Sequence, residues 1–337
     1  MKAYEIQGSF GLDNLKLADR PDTKPEPGKV LIRVKAVSLN YRDLMTVEGS
    51  YNPRQPLPLV PCSDGAGKVI DVGEGVTRVK KGDRVVGIFA QRWLAGKADA
   101  RTARSTLGGP RDGMLREYAI LDEEGVVPFP EHLKYEEAAT LPCAGLTAWH
   151  ALLEGNPVKP GDTVLLLGTG GVSIFALQFA IIAGARTIIT SSSDEKLNRA
   201  LHLGAWRGIN YVEIPDWDRE VMKLTEKEGV DRVVEVGGAG TFGKSLSCSR
   251  FGGSVEMIGV LSGVEAPVSV IPILMKGITV RGVFVGSREM LESMCRAVSF
   301  NGMKPIIGRV FGFEEAVEAF RLMKSGGHFG KIVIKLE

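Results

Sequence analysis

Six consecutive residues, Gly168-Thr169-Gly170-Gly171-Val172-Ser173, have the composition and spacing to hold a pyrophosphate. Gly168 permits a tight reversal of the chain, Gly170 lacks the Cβ that would keep backbone away from an anion, and a helix starting there presents unpaired amides. Such glycine turns are common, so the flanks decide the matter. Upstream, Pro160-Gly161-Asp162 leads into the apolar run Thr163 to Leu167, which suits a parallel strand covered on both faces. Downstream, residues 174–183 are apolar and small, as a helix packed on a sheet requires; Gly184 stops them, and Thr187 to Thr190 forms a second strand. The whole stretch predicts a strand-helix-strand unit for a dinucleotide. Ser173 stands where a third glycine would allow the closest helix-strand contact, which predicts a small displacement and retained binding.

The choice of dinucleotide is read roughly 20 residues past the first glycine, where an acidic side chain would take the ribose 2′-OH of NAD. Ser191 stands there, with Ser192, Ser193, Lys196 and Arg199 close by. Hydroxyls and cations suit a 2′-phosphate, so NADPH is favoured. Asp194 could turn toward the ribose, which leaves NADH open. Ser192-x-x-Glu195 also reads as a capping box for the next helix.

The elements that must position this unit follow from the rest of the chain. Its 337 residues suffice for two domains, and 44% hydrophobic with 24% charged content is that of a globular protein. A formal net charge of +2 implies no nucleic acid and no anionic membrane as partner. No stretch has the length of a membrane span and the N-terminus does not read as a signal peptide, so a cytoplasmic location is expected. Cys62, Cys143, Cys248 and Cys295 are far apart with no CxxC pair, which points to free thiols.

Short strand-like runs at Val30 to Val37, Gly67 to Val72 and Arg84 to Phe89, separated by Pro/Gly turns, predict an antiparallel β barrel. Residues 91–113 are polar and predict a long exposed loop or small lobe. A strand at Glu117 to Leu121 precedes residues 135–153, a segment broken by Pro142 and Gly145. From Val164 on, strands and helices alternate, with strands at Arg207 to Tyr211, Arg232 to Val236, Ser254 to Val260 and Thr279 to Val285 and a helix at Trp217 to Glu228. That alternation predicts a doubly wound parallel sheet. Helices at residues 289–300 and 313–323 and a strand at residues 331–336 are placed back on the first domain.

These features together resemble the medium-chain dehydrogenase/reductase superfamily over essentially the whole chain. The residues carrying the resemblance are Leu39-Asn-Tyr-Arg-Asp43, Asp64-Gly-Ala-Gly67, Gly73-x-Gly75-Val76, Gly82-Asp-Arg-Val85, Leu141-Pro-Cys-Ala-Gly-Leu-Thr-Ala148, Gly168-Thr-Gly-Gly-Val172 and Gly327-His-Phe-Gly-Lys331. Within it the chain is most similar to the zinc-free quinone oxidoreductase-like and enoyl reductase branches. The resemblance implies an α/β fold: a GroES-like β-barrel catalytic domain at residues 1–125 and 286–337, and a Rossmann domain at residues 126–285. It also implies a homodimer through the Rossmann edge strand.

Zinc-dependent relatives place a Cys, a His-Glu pair and a second Cys where this chain has Asn40, Ser63-Asp64 and Cys143, and residues 88–118 hold no cysteine for a structural zinc. No metal is expected. The implied chemistry is NADPH-dependent hydride transfer to a quinone or α,β-unsaturated carbonyl, whose charge is taken up by hydrogen bonds. Alcohol dehydrogenase or aldehyde reductase activity, or an NADPH-binding role with little turnover, are the alternatives. Asn40 and Tyr41 match the segment that lines the nicotinamide, whereas Asp43 reads as structural. Tyr51 is similar to the tyrosine with which enoyl reductases bind or protonate an enolate, and it could equally pack over its Pro-rich turn. Implied cofactor contacts are Thr147, Tyr211, Val236, Gly237, Gly238, Gly259, Val260, Leu261, Val285, Arg288, Phe329 and Lys331. Arg288 could instead be a surface cation.

Overall fold

In a computed structural model, which describes residues 1–336, the chain divides into two units, Met1–Leu146 with the residues from Val285 on, and Thr147–Phe284. The first begins with a small antiparallel pair, β1 (Lys2–Ile6) and β2 (Leu15–Asp19). Next come β3 (Lys29–Leu39), helix α1 (Tyr41–Val47), β4 (Asp64–Val72), β5 (Arg84–Gly87), helix α2 (Ala100–Ala103), β6 (Tyr118–Asp122), β7 (Val126–Pro128) and helix α3 (Tyr135–Ala138). After a π-helical turn at Leu141–Gly145, helix α4 (Leu146–Leu153) opens the second unit. That unit alternates β8 (Thr163–Leu166), α5 (Gly171–Ile182), β9 (Arg186–Ser191), α6 (Asp194–His202), β10 (Arg207–Asn210), α7 (Trp217–Leu224), β11 (Val230–Glu235), α8 (Ala239–Cys248), β12 (Ser249–Met257), α9 (Ile271–Lys276) and β13 (Thr279–Gly282). The chain then returns to the first unit with α10 (Arg288–Phe300), β14 (Ile307–Gly312), α11 (Ala316–Ser325) and β15 (Lys331–Lys335).

The strand order of the first unit is β14-β15-β3-β4-β5-β7, with β6 pairing β3 as well. Two registers matter for the site. Ile332 pairs with Leu39 across β15 and β3, and Ser38 pairs with Asp64 across β3 and β4. Asn40, Asp64 and Lys331 therefore meet where β3 ends and β4 and β15 begin. Residues of β3, Ile32 and Val34 before a register shift and Val37 after it, join Leu44, Met114, Phe320 and Ile334 in one buried cluster.

The second unit is a six-stranded parallel sheet of order β10-β9-β8-β11-β12-β13. Successive strands run outward from β8 first to one side and then to the other. The switch between β8 and β11 is where such sheets open a crevice for ligands, beyond the strand C-termini. Leu165, Ile188, Val233, Val255, Trp217 and Leu246 form its core.

The division differs from the sequence expectation at 125/126 and 285/286. β7 pairs with β5, and α3 packs on β3 and β4, so both belong with the barrel. Residues 91–113 form the small lobe of the two alternatives: residues 95–101 are exposed, while Gln91, Trp93, Thr102, Ser105, Thr106 and Leu107 are buried. Arg42 gathers this segment by donating to the carbonyls of Leu107, Gly108 and Gly109. The strand expected to reach Val285 stops at Gly282, and the helix expected to reach Glu228 ends at Leu224, where Glu226 and Lys227 take positive φ. Helices α1, α8 and α9 and strand β14 carried too short a periodic signal to be anticipated.

Candidate active site

The barrel unit builds a buried polar cluster at the junction of β3, β4 and β15. Asn40 heads α1, and Asp43, three residues on, accepts the Asn40 backbone amide at 2.8 Å. The other Asp43 oxygen takes Arg42 Nη1 at 3.2 Å and the Ser63 amide at 3.3 Å. Asp43 thus fixes the turn before α1 against the turn before β4, the structural role expected of it. Asp64 accepts the Ser63 hydroxyl at 2.7 Å and the Cys143 amide at 3.1 Å, which ties the π-helical turn to the same point. Lys331, at the start of β15, donates from Nζ to the Leu39 carbonyl and to Asn40 Oδ1, both at 2.6 Å. Asn40 Nδ2 makes a long contact, 3.4 Å, to the Ser63 hydroxyl and also interacts with the Asp64 carboxylate.

Burial sets the charge states here. It pushes the Asp64 carboxyl up to about 6, against the opposing pull of Lys331. The Lys331 ammonium is pushed down by the same loss of water, held against that by Asp64. The Cys143 thiol is pushed up by burial and by Asp64.

These residues do not fit a zinc ion. The site offers an amide whose oxygen already holds an ammonium, a hydroxyl, a hydrogen-bonded carboxylate and a single cysteine, where tetrahedral zinc takes several thiolates and imidazoles. Among the described residues no three His, Cys, Asp or Glu side chains are placed to hold a metal ion.

Of the other expected site residues in this unit, Tyr41 and Tyr51 are exposed, and the Tyr51 ring lies against Arg42. Val285 is buried with φ of 43°, a strained conformation for a β-branched residue. Phe329 is buried. Two assignments need correction. Arg288 pairs with Glu124 and Glu292 and is employed structurally. Lys331, expected among the cofactor contacts, is committed to Asn40 and Leu39 because the β15 register sets it beside them.

The Rossmann unit fits a dinucleotide. Gly168 leaves β8 at φ of 72°, and Gly170 caps α5, whose first-turn amides have no acceptor within the helix. Thr169 is buried, Gly171 begins the helix and Val172 follows in its first turn. Ser173 does more than substitute for glycine: its hydroxyl donates to the Leu167 carbonyl at 2.6 Å, locking the helix to the strand end. Thr147 is buried near the start of α4.

At the end of β9, Ser191 is buried and its hydroxyl accepts the Ser193 amide at 3.3 Å. The helix cap is Ser193, which accepts from the Lys196 amide, and not Ser192 as the capping-box pattern predicted. Ser192 is exposed and Tyr211 is exposed. Asp194 is held by Asn210 Nδ2 at 2.8 Å. Burial lowers the Lys196 ammonium, with Glu195 acting in the opposite sense.

One residue of this unit was missed by motif reasoning. Glu235, fully buried at the C-terminus of β11, accepts the amides of Gly237 at 2.8 Å and Gly238 at 3.0 Å, the Thr241 hydroxyl at 2.6 Å and the Ser245 hydroxyl. It shapes the turn from Val236 to Gly238, which is laced in turn to the Gly259-Val260-Leu261 loop through Ser262 N to Gly237 O at 2.6 Å. A Cβ on Gly259 would lie 2.3 Å from the Val236 carbonyl, so that approach requires glycine. The signal was present as an acid ending an apolar strand, Val230-Asp-Arg-Val-Val-Glu235.

A barrel with this polar cluster and a doubly wound sheet with this glycine turn define a two-domain nicotinamide-dependent oxidoreductase. The comparisons name its family. The alcohol dehydrogenase GroES-like domain matches residues 26–131 and the zinc-binding dehydrogenase domain residues 171–299. A zinc-type alcohol dehydrogenase-like protein of Schizosaccharomyces pombe is 44% identical, covering 97% of this chain and 96% of its own. The quinone oxidoreductase of Sus scrofa is 30% identical over 100% and 98% of the two chains. Acryloyl-coenzyme A reductase of Metallosphaera sedula is 27% identical over 99% of each. Among solved structures, a Sinorhizobium meliloti protein described provisionally as an alcohol dehydrogenase superposes with a TM-score of 0.92 at 42% identity, covering 99% and 98%. A crotonyl-CoA carboxylase/reductase in complex with NADP does so at 0.88 and 26%, covering 99% and 94%. The chain belongs to the medium-chain dehydrogenase/reductase superfamily. No helix among the described residues is long and apolar enough to cross a membrane.

Proposed function

We propose that the protein reduces a conjugated carbonyl, either a quinone or an α,β-unsaturated carbonyl, with NADPH and without a catalytic zinc. The observation that carries this is the polar make-up of the barrel cluster: the Asn40 amide can donate a hydrogen bond, and Lys331 adds a buried cation. When bound, the nicotinamide supplies a hydride. The chain's own part is to hold the negative charge that then builds on the acceptor oxygen, for which the Asn40 Nδ2 hydrogen with the long Ser63 contact is available. Tyr51, half-exposed, is the candidate proton donor where an enolate forms. An alkoxide, which alcohol oxidation would require, is a harder charge than an enolate or hydroquinone anion and would call for a stronger Lewis acid.

The NADPH preference rests on Ser191, Lys196 and Arg199 together with the engagement of Asp194 by Asn210, which draws that carboxylate away from a role on the ribose. The NADP-bound crotonyl-CoA reductase is consistent with it. Four buried free thiols suit a reducing, cytoplasmic compartment.

The test is NADPH consumption with quinones, enals, enoyl thioesters and aldehydes, in chelator, alongside elemental analysis. Turnover of a quinone or alkene by zinc-free protein is expected. One zinc per chain with activity confined to alcohols and aldehydes would overturn the reading, and tight NADPH binding without turnover of any acceptor would leave only a binding role.

A further inference from the structure

We propose that Lys331 is a positioning residue for the acceptor: by holding the Asn40 side-chain oxygen it turns the amide NH2 to receive the acceptor's carbonyl oxygen. This rests on the reductase reading above and states how that oxygen is held. An ammonium has three donors and no acceptor, so the Asn40 atom 2.6 Å from Nζ must be the oxygen; a flipped amide would set two donors against each other. The Leu39 carbonyl, also at 2.6 Å, anchors the same ammonium to the last residue of β3. Lys331 is thereby fixed on both sides of the peptide that leads into Asn40.

The energetics favour a functional reason for this lysine. Removing an ammonium from water costs several kcal/mol, and an apolar side chain of like volume would pack at this strand start without that cost. Its charge is balanced within the cluster: Lys331 and Arg42 face Asp43 and Asp64, two cations and two anions. What the ammonium adds is direction and polarity. It pulls electron density toward Oδ1, which makes the Nδ2 hydrogens better donors. One of these has only the long 3.4 Å contact to Ser63, which an acceptor oxygen can take over, and the other is engaged by the Asp64 carboxylate.

The experiment is a side-chain amide spectrum of ¹⁵N-labelled protein, with the Asn40 pair assigned by its loss in Asn40→Ala, together with kinetics. In Lys331→Met the Asn40 signal is expected to shift, kcat for the preferred acceptor to fall about 10²- to 10³-fold, and NADPH Kd to stay unchanged. Adding Lys331→Met to Asn40→Ala is expected to lower kcat no further. If Lys331→Met fails to fold, Lys331→Met/Asp64→Asn, which removes both charges, is measured against Asp64→Asn alone. An unmoved Asn40 signal, a fall in thermal stability with kcat kept, or a raised NADPH Kd with kcat kept would each overturn the proposal. If the wild-type protein turns over no acceptor, the reductase reading fails, while the amide spectrum still decides whether Lys331 sets the Asn40 amide.

Discussion

The Arg42 guanidinium carbon lies 4.8 Å from the centroid of the Tyr51 ring, while its two Nη atoms are held by Asp43 and by the Leu107, Gly108 and Gly109 carbonyls. A cation fixed on its other side in this way makes a rigid shelf for the ring and leaves the phenol hydroxyl free to act. Tyr51→Phe keeps the shelf contact and removes only the hydroxyl. Reduction of an enal or enoyl thioester is expected to fall about 10²- to 10⁴-fold, because the enolate must be stabilised and protonated. Quinone reduction should stay within a few-fold, since the hydroquinone anion is stabilised by aromatisation. Steady-state rates on both substrates decide it, and wild-type rates on both would make Tyr51 a packing residue.

Asp64 makes stability depend on pH. Its carboxyl is raised from 3.8 to about 6 by burial, so the folded protein binds that proton more tightly than the unfolded chain does. The contribution is fully present below the unfolded value and is lost as pH rises through the folded one. The stability of wild type minus that of Asp64→Asn should therefore decline between pH 4 and pH 6, by at most about 1.4 kcal/mol per pH unit, and level off above. Urea melts across that range measure it; a difference that grows with pH would contradict the assignment.

Cofactor choice should weaken when the cationic face of α6 is altered. Lys196→Ala is expected to lower NADPH affinity by about 1.5 to 3 kcal/mol, the worth of a charge-assisted phosphate contact, with NADH affinity little changed. Fluorescence titration of both dinucleotides gives the answer, and equal losses for both would remove Lys196 from the 2′-phosphate.

Glu235 holds two amides and two hydroxyls at the end of β11. Glu235→Ala strips a fully satisfied buried carboxylate and should cost about 3 kcal/mol or more, with weaker dinucleotide binding as the Val236 to Gly238 turn loosens. Glu235→Gln retains an acceptor for the two amides and should lose less. Thermal unfolding and cofactor titration of the pair test this; equal stability of Glu235→Ala and wild type would contradict it.

Strand β13 pairs with β12 alone in its sheet, and Val280 on it, with Leu274 and Met275 on the preceding α9, is exposed. An open apolar edge of this kind favours pairing with a second copy, and a homodimer is expected by light scattering at micromolar concentration. Val280→Lys should shift the mass toward monomer, and a monomeric wild type would exclude the edge as an interface.

The Rossmann half was legible in the chain because its signals are local. A glycine turn between an apolar run and a helical one, Ser191 at the right distance, and alternation from Val164 on each depend on residues near in sequence, where backbone geometry follows from spacing alone. Asp43 could be assigned for the same reason, since it serves an amide three residues away. The barrel cluster was not legible in this way. Asn40, Asp64, Cys143 and Lys331 are separated by up to 291 positions between hydrogen-bonding partners, and what unites them is strand register. With Ile332 opposite Leu39, a lysine that reads as one of several basic residues near a C-terminal strand becomes a buried ammonium on Asn40. The family resemblance implied which residues stand at the zinc-ligand positions; only tertiary structure decided what charge gathers there, because burial and pairing are properties of the assembled strands.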